Sequence, residues 1–270
     1  MNMVASILVH VDASQRSRMR LDVARQLARR LGAAVTALYA CAPQPAPRPS
    51  RFFAEGAVLM PEATAFDERC REQAHNLVEA GRDGVHTVWA ELPHGCAITK
   101  HFATRAWLHD LVVLGQRDEA DLAAGVPADF VESIVIEGAR PVLVVPSGGE
   151  FGDVGRRVLI AWKPSREAAR ALTAALPLLQ PGASVHVAAW GCDPVQVRPL
   201  LLHHGIEAEY LHEKAACAPV GEALLSLSAD LGADLLVMGC YGHARMRELM
   251  LGGATHTVLK SMTLPVLMAH

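Results

Sequence analysis

The chain has 270 residues, 51% of them hydrophobic, and a formal net charge of −3. That is enough apolar material for one large core or two ordinary ones, and the charge gives no electrostatic case for nucleic acid or an anionic membrane as a partner. No apolar run reaches the roughly 18 residues of a membrane span, and residues 1–20 lack the basic stretch and long apolar run of a signal peptide, so a cytoplasmic protein is expected.

In chain order, strands alternate with helices. Ile7 to Val11 is apolar at every position but His10, as a parallel strand covered on both faces favours. Ser14 is placed to cap a helix running to about Leu31, with Met19, Val23, Leu27 and Leu31 on one face, arginines elsewhere, and Gly32 as its stop. A strand follows at 34–39, then a proline- and alanine-rich stretch from Cys41 to Ser50 that reads as a loop or lid. Next come a helix near 62–80, a strand at 85–90, a helix near 96–107, a strand at 111–114, a helix at 130–137 and a strand at 142–145. Pro146 to Gly155 holds four glycines and a proline and reads as a linker. The order then repeats: strand 158–162, helix 166–179, strand 184–190, helix 194–204, strand 206–211, helix 219–231, strand 234–238, helix 254–262, strand 265–269.

The second series is a copy of the first. Asp110-Leu-Val-Val-Leu-Gly115 matches Asp234-Leu-Leu-Val-Met-Gly239, and Pro141-Val-Leu-Val matches Pro265-Val-Leu-Met, both at an offset of 124. Near the start, the segment from Ile7 to Ser14 matches that from Val158 to Ser165 at an offset of 151, so the first copy is longer by 27 residues. The reading is two tandem α/β domains, each a five-stranded parallel sheet with helices on both faces. Their apolar terminal strands, Pro141 to Val145 and Pro265 to Ala269, would be exposed edges unless they paired, so an intramolecular pseudo-dimer is expected. The boundaries are taken as 1–147 for the first repeat, with the extra residues around 40–66, then 148–157 for the linker and 158–270 for the second repeat.

In such sheets ligands sit beyond the carboxyl ends of the strands, where strand order reverses. Asp12 and Lys163 follow the first strands, and the Gly115 and Gly239 loops follow the fourth. In the second copy the loop reads Gly239-Cys-Tyr-Gly242, nine residues, then Gly252-Gly253-Ala254-Thr255. Glycine lets backbone approach phosphate, and a helix N-terminus turns free N–H groups toward negative charge. Tight-turn chemistry without a ligand is the bland alternative.

These residues carry a resemblance: across nearly its whole length the chain is similar to a tandem universal stress protein. The matching features are Val11-Asp12-Ala13-Ser14, the spacing Gly239-x-x-Gly242-x9-Gly252, and the two terminal Pro-Val-Leu strands. The resemblance implies a Rossmann-like fold of the adenine nucleotide alpha hydrolase type. It also implies pairing through the last strand and, in members that bind ATP, phosphate and ribose contacts from the glycine loop. An Asp after the first strand then lies near the adenine. Carried onto the second repeat, the nucleotide contacts are Ala161, Trp162, Lys163, Met238, Gly239, Gly242, His243, Arg245, Gly252, Gly253, Ala254 and Thr255.

The chain departs from the family pattern in both copies. Gly253 stands where Ser or Thr usually follows Gly252, and Lys163 stands where the family has Asp. The first copy keeps Asp12 but has Gln116-Arg117-Asp118 in place of the glycine loop and Ala128-Asp129 opposite Gly252-Gly253. Asp129 would cap its helix and repel a phosphate. The first site therefore reads as degenerate and the second as altered.

His94, Cys96 and His101 are read as scattered polar positions rather than a metal set, since Cys96 and His101 do not share a helical face. His203-His204 complements a helix C-terminus, Arg166 and Glu167 are read as surface residues, and Ser14 and Ser165 as caps rather than nucleophiles. The six cysteines (Cys41, Cys70, Cys96, Cys192, Cys217, Cys240) include no C-x-x-C and suit reduced, mostly buried thiols. There is no G-x-x-x-x-G-K-S/T motif and no carboxylate pair beside the glycine loop. The reading is a non-enzymatic stress-response protein that binds ATP or another adenine nucleotide, with no metal or catalytic residue assigned and a homodimer of tandem chains left open. An interaction scaffold and a slow nucleotide hydrolase remain as alternatives.

Overall fold

A computed structural model describes residues 4–41, 60–81, 84–93, 95–117, 125–213, 219–240 and 253–270. The first repeat runs β1 (Ser6–Val11), α1 (Arg16–Leu31), β2 (Ala34–Tyr39), α2 (Met60–Ala80), β3 (Thr87–Glu91), α3 (Ile98–Ala106), β4 (Leu111–Gly115), α4 (Phe130–Glu137) and β5 (Val142–Val145). The second runs β6 (Arg157–Trp162), α5 (Arg166–Ala175), β7 (Ser184–Trp190), α6 (Arg198–His203), β8 (Ala208–Glu213), α7 (Val220–Asp230), β9 (Leu235–Gly239), α8 (Ala254–Ser261) and β10 (Val266–Ala269). Two spans expected as single α-helices are split at prolines. Leu176–Leu178 continues α5 as a 3₁₀ turn around Pro177, and Pro194–Val197 precedes α6 as another, because proline removes the N–H that an α-helical interior uses.

The strands form one ten-stranded sheet in the order β3-β2-β1-β4-β5-β10-β9-β6-β7-β8. Each five-strand half is parallel throughout. The halves meet where β5 and β10 pair antiparallel, with Val144 opposite Val266 and Val142 opposite Met268. The expected pairing of the terminal strands is therefore present, and it turns two edges into an interior. It also points the halves in opposite directions, so the carboxyl ends of β1 and β4 lie on one rim of the sheet and those of β6 and β9 on the other.

Both faces of the central strands are buried, which is why those strands read as apolar runs, while the edge strands β3 and β8 are only part-buried. On one face Ile7, Val9, Val113, Ile160 and Val237 pack with Leu21, Leu27, Leu172 and Leu201 from α1, α5 and α6. On the other, Leu8, Val112, Leu159 and Leu236 pack with Phe102, Ile134, Leu224 and Val258 from α3, α4, α7 and α8. The repeated aspartates explain themselves here. Asp110 accepts from the backbone N–H groups of Ala5 and Ser6 at 2.9 and 3.0 Å, and Asp234 accepts from those of Gly155 and Arg157 at 2.6 and 2.9 Å. Each thus ties the start of its repeat's first strand to the start of the fourth. Arg30 of α1 crosses between the repeats and donates to the carbonyls of Val154 and Leu178 at 2.7 and 2.8 Å.

Gly32 ends α1 in the left-handed conformation (φ 68°), as expected. Ser14 does not cap that helix. The residue before α1 is Gln15, which makes no side-chain cap bond, and the Ser14 hydroxyl instead donates to the Asp12 carboxylate. Nor do the α1 arginines all face water, since Arg20 and Arg25 are buried. The stretch 42–59, which holds most of the extra residues of the first repeat, and His94 lie outside the described residues.

Candidate functional site

At the end of β1 a polar cluster is sealed into the first repeat. Asp12 Oδ2 accepts from Arg20 Nη2 at 2.7 Å, and Oδ1 accepts from the Ser17 hydroxyl at 2.8 Å, the Ser14 N–H at 2.9 Å and the Ser14 hydroxyl. Arg20 is only 5% exposed. Burial opposes ionisation of Asp12, but the Arg20 guanidinium, helped by His10 and the two serines, holds its carboxyl well below the usual carboxylate range. His10 donates from Nε2 to the Ala40 carbonyl at 2.9 Å and lies against Phe102 and Phe130. Burial, and next the Arg20 charge, pull its pKa down to about 4.

Arg20 also fills the space over the end of β4. A Cβ added at Gly115 would come within 2.5 Å of Arg20 Nη1 and 2.9 Å of its Cδ. The position that opens the glycine loop in the second copy is thus covered, in the first, by a side chain already committed to Asp12. Sequence reading missed Arg20. The available signal was its spacing, because Ser17, Arg20, Leu21, Ala24 and Ala28 form the i, i+3, i+4 stripe that α1 buries. Beside the cluster an open cleft of about 300 Å³ is lined by Asp12, Ser14, Gln15, Arg18, Gln73 and Leu77. Asp129 does not cap α4 as expected; its carboxylate accepts from the Ser133 hydroxyl at 3.3 Å and makes no bond to a backbone N–H of the first turn.

The second repeat builds its rim differently. β6 and β9 are neighbours, with Ala161 opposite Met238, so Trp162 and Lys163 at the end of one strand lie beside Gly239 at the end of the other. Lys163 is exposed, Met238 is buried, and the Trp162 indole Nε1 is buried without a hydrogen-bond partner. Gly239 is required by contact: a Cβ there would stand 2.4 Å from the Ala168 nitrogen and 2.6 Å from the Glu167 carbonyl carbon. Among the described residues no arginine intervenes here. At the offset of 151, Ser17 and Arg20 become Ala168 and Ala171, and α5 closes directly on β9. Ser165 caps α5, accepting from the Ala168 N–H at 3.2 Å.

Glu167 is not a surface residue. It is 2% exposed, accepts from Arg166 Nε, and helps burial to push the Cys240 thiol above its ordinary value. Its first-turn position on a helix whose N-terminus meets the strand ends turns it inward. Arg166 itself is exposed, as expected.

α8 begins at the same rim. Gly253 precedes it in an extended conformation and offers no side-chain cap, Ala254 is half-buried, and Thr255 is buried. Gly242, His243, Arg245 and Gly252 lie outside the described residues. The structure thus brings Ala161, Trp162, Lys163, Met238 and Gly239 to one rim, with Gly253, Ala254 and Thr255 opening the helix that leads into β10 beside β9.

The model of the universal stress protein family matches residues 3–146 and again residues 155–270. The chain belongs to the universal stress protein family. The curated universal stress protein Slr1230 of Synechocystis is 31% identical over 175 residues, 58% of this chain, and the match spans 57% of that protein's length. Among solved structures, a universal stress protein from Archaeoglobus fulgidus aligns with a TM-score of 0.74 at 17% identity, covering 98% of this chain and 95% of its own. A putative universal stress protein from Pseudomonas aeruginosa aligns with a TM-score of 0.60 at 16% identity, covering 98% and 93%. At such identities the likeness is one of fold. In this universal stress protein the two repeats share a frame and differ where the strands end: Asp12 with Arg20 on one rim, Lys163 with Ala171 on the other.

Among the described residues no three His, Cys, Asp or Glu side chains gather to hold a metal, and no helix is long and apolar enough to cross a membrane. None of the described cysteines is in a disulfide, and Cys217 lies outside the described residues.

Proposed function

We propose that this universal stress protein is a non-enzymatic regulatory protein of the cytoplasm that binds ATP or a related adenine nucleotide in its second repeat, residues 158–270, the first repeat (1–147) and linker (148–157) serving as its frame. The observation that carries the reading is the second rim: adjacent ends of β6 and β9, with Lys163 and Gly239 side by side, and an α8 that starts at a glycine with no side-chain cap. Backbone N–H groups at a helix start favour an anion. The contacts assigned to Gly242, His243, Arg245 and Gly252 belong to the same proposal. In the first repeat Arg20 stands over Gly115 and Asp12 is consumed by internal bonds, which argues for one site rather than two.

The test is mass spectrometry of small molecules released from the purified, denatured protein, followed by titration of Gly242→Asp. An adenine nucleotide in the wild type and none in the variant is expected. Unchanged affinity in Gly242→Asp refutes the glycine loop as the cradle, and no nucleotide in either leaves an interaction scaffold as the better reading. Asp129→Gly creates no strong site in the first repeat.

A further inference from the structure

The last carbonyls of an α-helix have no partner within it. α8 has no glycine after its last turn: Met262 follows in an extended conformation, and its N–H takes only the Val258 carbonyl, at 2.8 Å. The next two carbonyls are taken from outside the repeat. Gln116 Nε2 donates to Leu259 at 2.9 Å and to Lys260 at 3.1 Å. The amide is held in that sense at its other end, because Gln116 Oε1 accepts from the Ser147 N–H at 2.9 Å. The backbone N–H of Gln116 donates to Val145 at 2.7 Å, which fixes the residue to the end of β5.

Gln116 follows Gly115, the residue that Arg20 covers, and so stands at the rim of the first repeat. Because the halves are antiparallel at β5 and β10, this rim is where the second repeat ends its helices. The eight residues of α8 therefore reach from the proposed nucleotide rim to the degenerate rim of the first repeat, a span of about 12 Å. The start of α8 is tightly seated too: a Cβ on Gly221 of α7 would lie 2.7 Å from Thr257 Cβ and 3.0 Å from the Ala254 carbonyl oxygen. The counterpart of Gln116 at the offset of 124 is Cys240, whose thiol donates to Ala269 of its own repeat at 3.2 Å. The clamp is one-sided.

We propose that Gln116 is a positioning residue for the second repeat: through it, the first repeat sets the seat of α8 and with it the N–H groups at Gly253, Ala254 and Thr255. The inference rests on the nucleotide reading above for its ligand half and on the hydrogen bonds alone for its structural half. A packed helix held at both ends moves as a rod, so loosening one end displaces the other.

The experiment compares the full-length wild type with Gln116→Met, which keeps the length but loses the donor to α8 and the acceptor of Ser147, and Gln116→Lys, which restores only a donor at the helix end. Two quantities are read: amide hydrogen exchange of 254–261 without ligand, and affinity for ATP. In Gln116→Met, exchange of α8 should speed up and ATP should bind roughly 3- to 10-fold more weakly, the scale of one or two lost hydrogen bonds; Gln116→Lys should recover most of both. Unchanged exchange in Gln116→Met overturns the clamp. Faster exchange with unchanged affinity overturns the positioning role. If the wild type binds no adenine nucleotide, the functional reading and the ligand half fall together, and the exchange data still decide whether Gln116 holds α8.

Discussion

Replacing Asp12 by Ala would test the sealed cluster of the first repeat. The substitution removes the carboxylate that accepts from Arg20 Nη2, both serine hydroxyls and the Ser14 N–H, and leaves the buried Arg20 only the Ser17 hydroxyl as an acceptor for Nη2. Breaking a buried pair by deleting one partner costs about 3–5 kcal/mol, whereas replacing both charges with apolar groups is often neutral. Asp12→Ala should therefore lose about 3–5 kcal/mol, and adding Arg20→Met should recover about 2 kcal/mol or more of that loss. Equilibrium urea unfolding of the two single variants, the double variant and the wild type at pH 7 measures all four corners. The pH dependence gives a second check. The folded carboxyl titrates below the ~3.9 of an unfolded chain, so its stabilisation is fully present above about pH 4 and is lost as the pH falls through the folded value. The gap between wild type and Asp12→Ala should hold steady from pH 7 to about 4 and close below that. Costs of Asp12→Ala and Arg20→Met that simply add, or a gap indifferent to acid, would show that the two residues are not a coupled buried pair.

Three other outcomes are expected. His10, with its pKa pulled down to about 4 against ~6.5 in an unfolded chain, stays neutral when folded; the unfolded chain takes up the extra proton as pH falls from 6.5 to 4, so stability should drop by about 3 kcal/mol across that window. Unfolding of His10→Gln, which keeps a donor for Ala40, should lack that slope, and parallel curves would count against it. Gly239→Ala sets a methyl group against the backbone of α5 at 2.4 Å and should cost about 1–3 kcal/mol, read by thermal unfolding; a cost near zero would mean that α5 does not close on β9. For Lys163, adenosine, AMP and ATP are titrated against the wild type and Lys163→Asp: strengthened adenosine binding in the variant indicates that the ammonium crowds the base, and affinity that rises with phosphate number and falls with salt in the wild type indicates a phosphate contact. Crowding is the expected result, and equal affinities throughout would exclude both.

Much of the frame was legible in the chain itself. Strands buried on both faces are apolar at nearly every position, so β1, β4 and β9 stand out without knowledge of their neighbours, and the repeat offsets of 124 and 151 disclose the duplication. Two apolar terminal strands demanded partners, and each proved to be the other's. The chemistry of the rims was less legible, because it turns on which charged side chain the fold withdraws from water. Arg20 and Glu167 read as solvent-facing in a list of residues, yet one lies over Gly115 and the other against the end of β9. Ser14 had the sequence signature of a helix cap, yet its hydroxyl donates to the Asp12 carboxylate two residues back instead of accepting from the first turn. Gln116 carried no local signal at all, since its partners lie 143 and 144 residues away in the other repeat. Periodicity and turn chemistry act over a few residues, so sequence alone determines which segments are strands and helices; the burial of a charge or the partner of an amide depends on distant segments that only the folded chain brings together.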